Sequence, residues 1–304
     1  MKRKGFGRDF GLSSRMFLTM FLLGALYVVF FVVLVWYLQV GIALVIPLLA
    51  VFAFVQYYTS DKIALRASGA KVVTPDEAPE LHAMVDRLCA MSDLPKPRVA
   101  IIPTDVPNAF ATGRSPKHSA VAVTQGLWDR LEPREVEGVL AHELSHIGNR
   151  DVAVMTIAGF FAMLAAFLVR MGMFTSMMGG GRNRDSGGAP ALLIIIAVSL
   201  ITYVLSYVLI LMISRYREYT ADRGAALITG APEYLMSALQ KIASDMTRIP
   251  QRDLRELERM NAFFIIPTSV KRSAGELFMT HPPLEKRLAR LADIAAEMGR
   301  PISA

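Results

Sequence analysis

Residues 132–151 read EPREVEGVLAHELSHIGNRD, and this stretch decides the architecture. Glu132-Pro133 opens a helix, because proline is tolerated at a first helical position and acidic residues suit a first turn. The helix runs through Glu135, Val139 and Leu140 to His146. Side chains four apart on a helix share a face, so His142 and His146 reach one metal ion. Glu143, beside the first histidine, is placed to take a proton from an attacking water. Val139, Leu140, Leu144 and Ile147 give the helix an apolar face, which a surface helix with incidental histidines would lack.

A catalytic zinc site usually takes three protein ligands and keeps one position open. A third histidine six residues after His146 fails, since that position is Val152. The other solution is a glutamate on a later helix, and the segment Arg217-Glu218-Tyr219-Thr220-Ala221-Asp222 supplies one. His146 precedes the uncharged run 152–169 by six residues, about 9 Å along a helix. Glu218 follows the uncharged run 190–214 by four residues, about 6 Å. If the two runs cross a membrane in opposite directions, His146 and Glu218 emerge on one side at similar heights. Helices packed about 8–10 Å apart then share a metal. The expected ligands of one Zn2+ per chain are therefore His142, His146 and Glu218. Asp222, one turn beyond Glu218, is expected to orient a ligand histidine from outside.

Working outward, the chain of 304 residues is 53% hydrophobic and only 19% charged, against about a quarter charged for ordinary soluble domains. Residues 16–60 hold no charged side chain. That excludes a purely cytosolic globular domain and a disordered chain. Two spans fit there, 16–37 and 42–58, joined by a short turn at Gln39 and Gly41, with Trp36, Tyr37, Tyr57 and Tyr58 as interfacial anchors. The first apolar stretch is too long for a cleaved signal peptide, and a second span follows at once. Runs 152–169 and 190–214 supply two more spans. The expected division is a basic tail 1–15, a membrane hairpin 16–58, the first soluble part 59–151, a second membrane hairpin 152–214 and the second soluble part 215–304.

The net charge of +7 is concentrated at the start, where Lys2, Arg3, Lys4, Arg8 and Arg15 face only Asp9. Beside an apolar span this signals topology, and no nucleic-acid partner is expected. The basic tail puts both soluble parts on the cytoplasmic side. Residues 179–188, with five glycines, form a connector between the third and fourth spans.

In the first soluble part, residues 74–94 read as a helix entered through Thr74-Pro75-Asp76-Glu77. Residues 99–103 and 120–124 read as short strands, with a turn-rich stretch at 107–113 between them. Residues 108–112 and 120–124 read by themselves as an ordinary hairpin. Cys89 is alone and reads as a small buried core residue. His82 and His118 lack metal-ligand spacing and read as structural or exposed. The fold class is mainly α with a small β-sheet.

Taken together, several motifs resemble the HtpX-type membrane metalloproteases. They are the His142-to-His146 helix, Asn149 and Asp151 just after it, the 217–222 segment, Thr280-His281-Pro282-Pro283-Leu284-Glu285, Asn108-Ala109-Phe110 and Asn261-Ala262-Phe263-Phe264. The resemblance covers nearly the whole chain. It implies a thermolysin-like zincin domain, a gluzincin, fused to four transmembrane helices. The activity it implies is that of a zinc endopeptidase of the bacterial inner membrane, cutting misfolded or damaged membrane proteins at the cytoplasmic face in a stress response. The resemblance also raises residues 108–112 and 120–124 to a sheet edge onto which an extended substrate adds, and so implies substrate binding at Asn108, Ala109 and Phe110.

An oxyanion needs positioned donors, and His281 and Arg217 are the candidates. His281 precedes two prolines and so sits at a helix entrance, where a capping role is the alternative. Arg217 is alternatively the partner of a carboxylate. A transporter would carry ionisable groups inside its spans, and these spans have essentially none. An inactive scaffold or chaperone of the same fold, and a prenyl-peptide protease, are the remaining alternatives. The first would typically lack Glu143 or a ligand, and the second has more spans.

Overall fold

The computed structural model describes residues 10–38, 42–178, 188–248 and 281–300. The first nine residues, the turn at Gln39 and Gly41, residues 179–187 of the Gly-rich connector, the 261–264 motif and Thr280 lie outside the described residues.

Alternation along the strands builds the sheet. Strand β4 (His118–Thr124) sends Val121 and Val123 to one face and Ala120 and Ala122 to the other. The four strands run in the order β1 (Lys71–Val72), β2 (Arg98–Ile102), β4, β3 (Ala109–Ser115). β2 and β4 are parallel, and the two outer pairings are antiparallel. The valine face packs on helices α3 (Pro79–Ser92) and α5 (Pro133–Asn149). The alanine face, with Phe110 and Ile102, receives Leu65 from the end of helix α2 (Ile42–Ala67). Small side chains on that face let the helix lie close to the strands. Asp61 of α2 pairs with Arg98 at 3.0 Å and anchors the same contact.

Short α4 (Gln125–Arg130) is capped by Thr124, whose hydroxyl accepts the Leu127 N–H. Helices α8 (Pro232–Arg248) and α9 (Leu284–Glu297) complete the main core around α5. A side chain at Gly138 of α5 would meet the backbone of Leu235 at 3.0 Å, so α5 and α8 touch almost backbone to backbone. Glu135 accepts from Ser237 and pairs with Lys241 at 2.7 Å, which ties the first turn of α5 to α8.

Among the described residues, three helices are long and apolar enough to cross a membrane: Phe10–Trp36 within α1 (Phe10–Leu38), Asp151–Arg170 within α6 (Asp151–Met178) and Leu193–Thr229 within α7 (Gly188–Thr229). They turn Phe17, Phe21, Val32, Leu193, Ile201 and Leu205 outward, as a lipid solvent allows. Leu23, Tyr27, Ala158 and Ile213 pack inward, and the Tyr27 hydroxyl donates to the Ala158 carbonyl at 2.5 Å.

Three local expectations change. The helix placed at 74–94 begins only at Pro79, because Thr74 and Glu77 close a separate turn in which the Glu77 carboxylate accepts the Thr74 N–H. The turn-rich stretch at 107–113 is mostly strand β3. Its pairing with β4 outweighs the local turn signal, and Gly113 falls at an irregularity of the ladder. There φ is +141°, and a side chain would run into the Ser119 backbone. Finally, the His146 helix does not continue into the third apolar run. Arg150 adopts the left-handed conformation, φ 59°, ends α5 and turns the chain into α6.

Candidate metal centre

Helix α5 contributes His142, Glu143 and His146, all buried. The two Nε2 atoms stand 3.2 Å apart. Helix α7, running unbroken from its apolar part, brings Glu218 against them. One carboxylate oxygen lies 3.5 Å from His142 Nε2 and the other 3.5 Å from His146 Nε2. Donors around a tetrahedral zinc, each about 2.0–2.1 Å from the ion, stand about 3.3 Å from one another. The donor set is thus right in kind, two imidazoles and a carboxylate, and in spacing. Among the described residues, these three form the cluster able to hold a metal ion.

A ring of groups behind the donors sets their orientation. His142 Nδ1 lies 3.0 Å from Asp222 Oδ1. His146 Nδ1 lies 2.6 Å from Asp151 Oδ2, a hydrogen bond that turns Nε2 toward the centre. Asp151 in turn pairs with Arg217, Nε to Oδ1 at 3.1 Å. Asp222 is gripped twice by Arg287 of α9, from Nε at 2.9 Å and from Nη2 at 2.6 Å. Burial works against the Arg287 charge, but the Asp222 carboxylate more than offsets this and holds the guanidinium pKa above its usual range. His281 Nδ1 lies 3.1 Å from Glu218 Oε2.

Glu143 sits close to these groups and also reaches strand β3, where the Ala111 N–H donates to its carboxylate. Burial pushes its carboxyl above the usual range, and His146 and His142 partly offset that. The main-chain pairing of β3 alternates along the strand. The Thr124 N–H donates to the Asn108 carbonyl, and Thr124 Oγ1 accepts the Asn108 N–H. With the observed register, Phe110 and Thr112 also face β4, and Ala109 and Ala111 turn their main-chain groups outward.

Residues 75–295 match the pattern of Peptidase family M48. The chain belongs to that family. Curated relatives agree over nearly full length. "Protease HtpX homolog" of Moorella thermoacetica is 53% identical over 97% of this chain and 98% of that protein. "Protease HtpX homolog 2" of Methanosarcina mazei is 50% identical over 98% and 100%. "Protease HtpX homolog 1" of Streptomyces coelicolor is 47% identical over 97% and 96%. The crystal structure of S. mikatae Ste24p superposes with a TM-score of 0.52 at 16% identity, covering 92% of this chain and 66% of that one, a likeness of fold. The chain is thus an M48 metalloprotease and a membrane protein, as the motif resemblance implied, and family membership implies a metal.

Within the M48 domain, the structure brings His142, His146, Glu218, Asp222, His281 and Glu143 together. Arg217 reaches the centre only through Asp151. Of the residues 108–110, Asn108 and Phe110 are buried and spend their main-chain groups on β4. Two members of the ring had no role assigned from the sequence, Asp151, noted there only as part of a motif, and Arg287. Asp151 had a signal, a carboxylate directly after the histidine helix. Arg287 had one as well, since it interrupts the apolar stripe formed by Leu284, Leu288 and Leu291.

Proposed function

We propose that the chain is a zinc endopeptidase that cuts misfolded or damaged membrane proteins at the cytoplasmic face of the bacterial inner membrane. The observation that carries the reading is the convergence of His142, His146 and Glu218 at metal-ligand spacing, with the buried Glu143 beside them and hydrogen-bonded to the main chain of Ala111 on β3. One Zn2+ per chain would be held by these three residues in a thermolysin-like arrangement. When bound, zinc supplies Lewis-acid polarisation of the scissile carbonyl and makes water more acidic.

The chain's own residues do the rest. An extended polypeptide lies along β3 and pairs with main-chain acceptors that β4 and Glu143 leave unused, the Ala111 carbonyl among them. The Glu143 carboxylate takes a proton from the attacking water and gives it to the leaving amine. A raised carboxyl pKa suits an acid that must both accept and return a proton near neutrality. His281 is placed to donate toward the oxyanion from the Glu218 side, and Arg217 acts by holding Asp151. Four spans are proposed, α2 joining the three apolar helices, with the bilayer as the permanent environment.

Metal analysis with casein digestion tests the chemistry. Purified protein is expected to carry about one zinc per chain and to degrade casein until a chelator is added. Chelator-insensitive digestion overturns the metal assignment, and zinc-loaded protein without digestion favours the scaffold alternative. Orientation is tested separately. With Cys89→Ser as background, the exposed Lys117→Cys should resist a membrane-impermeant maleimide in intact cells and react after lysis. Labelling of intact cells would put the centre on the other side.

A further inference from the structure

Three elements place the metal centre unusually close to the apolar boundary of the membrane helices. His146 is bonded to Asp151, the first residue of α6 and of its apolar span. Glu218 sits on α7 four residues beyond Ser214, where the uncharged run ends, about 6 Å along the helix. The third element is the strand edge itself. β3 passes the centre at Ala111 and reaches Arg114 three residues later, about 10 Å on. There it meets the end of the apolar run of α2. The Tyr57 hydroxyl donates to the Arg114 carbonyl at 2.8 Å, and the Arg114 guanidinium lies 4.9 Å over the Tyr58 ring. Tyrosines at the end of an apolar helix mark the headgroup level. Lys62, Arg66 and Lys117 are exposed around the same point, as basic residues at a cytoplasmic interface are.

From this we infer that the site takes a polypeptide stretch directly flanking a membrane span, and cuts it within about three to six residues of the bilayer surface. The inference rests on the endopeptidase reading and names its substrate class. A peptide paired along β3 has its bond at the centre opposite Ala111, and its chain leaves past Arg114 at the headgroups. A span can therefore continue from the bound peptide with almost no intervening loop. A cleavable sequence held far from the membrane has to return to it, at a cost in effective concentration.

Two single-span substrates would test this, both reconstituted with the full chain in liposomes. One carries an unstructured cleavable segment immediately after the span. The other inserts about ten prolines first, a semi-rigid spacer about 30 Å long. Cleavage of the spaced substrate is expected to be at least about tenfold slower. Mass spectrometry should place the cut of the unspaced one next to the span. Equal rates, with cuts that follow the cleavable sequence outward, would overturn the placement. Casein digestion in detergent separates the two levels. Digestion of casein with neither membrane substrate cut overturns the placement alone. Failure on all three overturns the endopeptidase reading and the placement with it.

Discussion

Glu143→Gln should leave the metal in place and slow peptide hydrolysis by about 10²–10⁴-fold, the range for loss of a general base. The amide keeps the shape of the side chain and its contact toward Ala111 but takes no proton from water. The three metal donors are separate atoms on His142, His146 and Glu218. Zinc content and casein turnover on one preparation are the measurements. Because burial disfavours the charged form of Glu143, the neutral variant should be at least as stable to heat as the parent. Full activity would remove Glu143 from the chemistry. Loss of zinc would make it part of the metal cage instead.

The second large effect separates the two carboxylates of α7. Glu218→Gln should strip the metal, because a neutral amide is a far poorer ligand for a dication than a carboxylate. Added zinc should restore little. Asp222→Asn should be milder, costing about 10–100-fold in zinc affinity or turnover, as loss of a partner behind a ligand histidine does. Excess zinc should recover part of it. The structure gives the reason for the order. Glu218 faces both Nε2 atoms, whereas Asp222 touches only the far nitrogen of His142 and is gripped by Arg287. Zinc titration of the two proteins decides it. An Asp222→Asn protein without metal beside a zinc-loaded Glu218→Gln protein would reverse the roles.

Much of the centre was legible because helical spacing is a local property. Two histidines four apart, with a glutamate beside the first, specify a shared face whatever surrounds them. Glu218 and Asp222 were legible for a less local reason. Apolar runs of defined length act as rulers, and residues just past their ends fall at known heights. That ruler worked even though the helix between His146 and the third run is broken at Arg150. The break brings Asp151 back under His146 and so shortens the distance to the span.

Strand β3 was not legible in the same way. Pro107, Asn108 and Gly113 read as a turn, but long-range pairing with β4 decides the conformation, and local propensity in strands yields to such pairing. The same register also decides which main-chain groups face β4. It turns those of Ala109 and Ala111 away from β4 and spends those of Asn108 and Phe110 on it.

By itself the sequence pointed to the candidate donors His142, His146 and Glu218, to Glu143 as candidate base and to the membrane character, from spacing within one helix, the lengths of apolar runs and composition. Only the tertiary structure decided what stands behind the donors. Asp151, Arg217 and Arg287 come from three different helices, and their roles arise from ion pairs between residues 65 and 66 positions apart. A buried charge needs a partner wherever the fold supplies one, and a signal along the chain, such as Arg287 in an apolar stripe, does not say which residue that partner is.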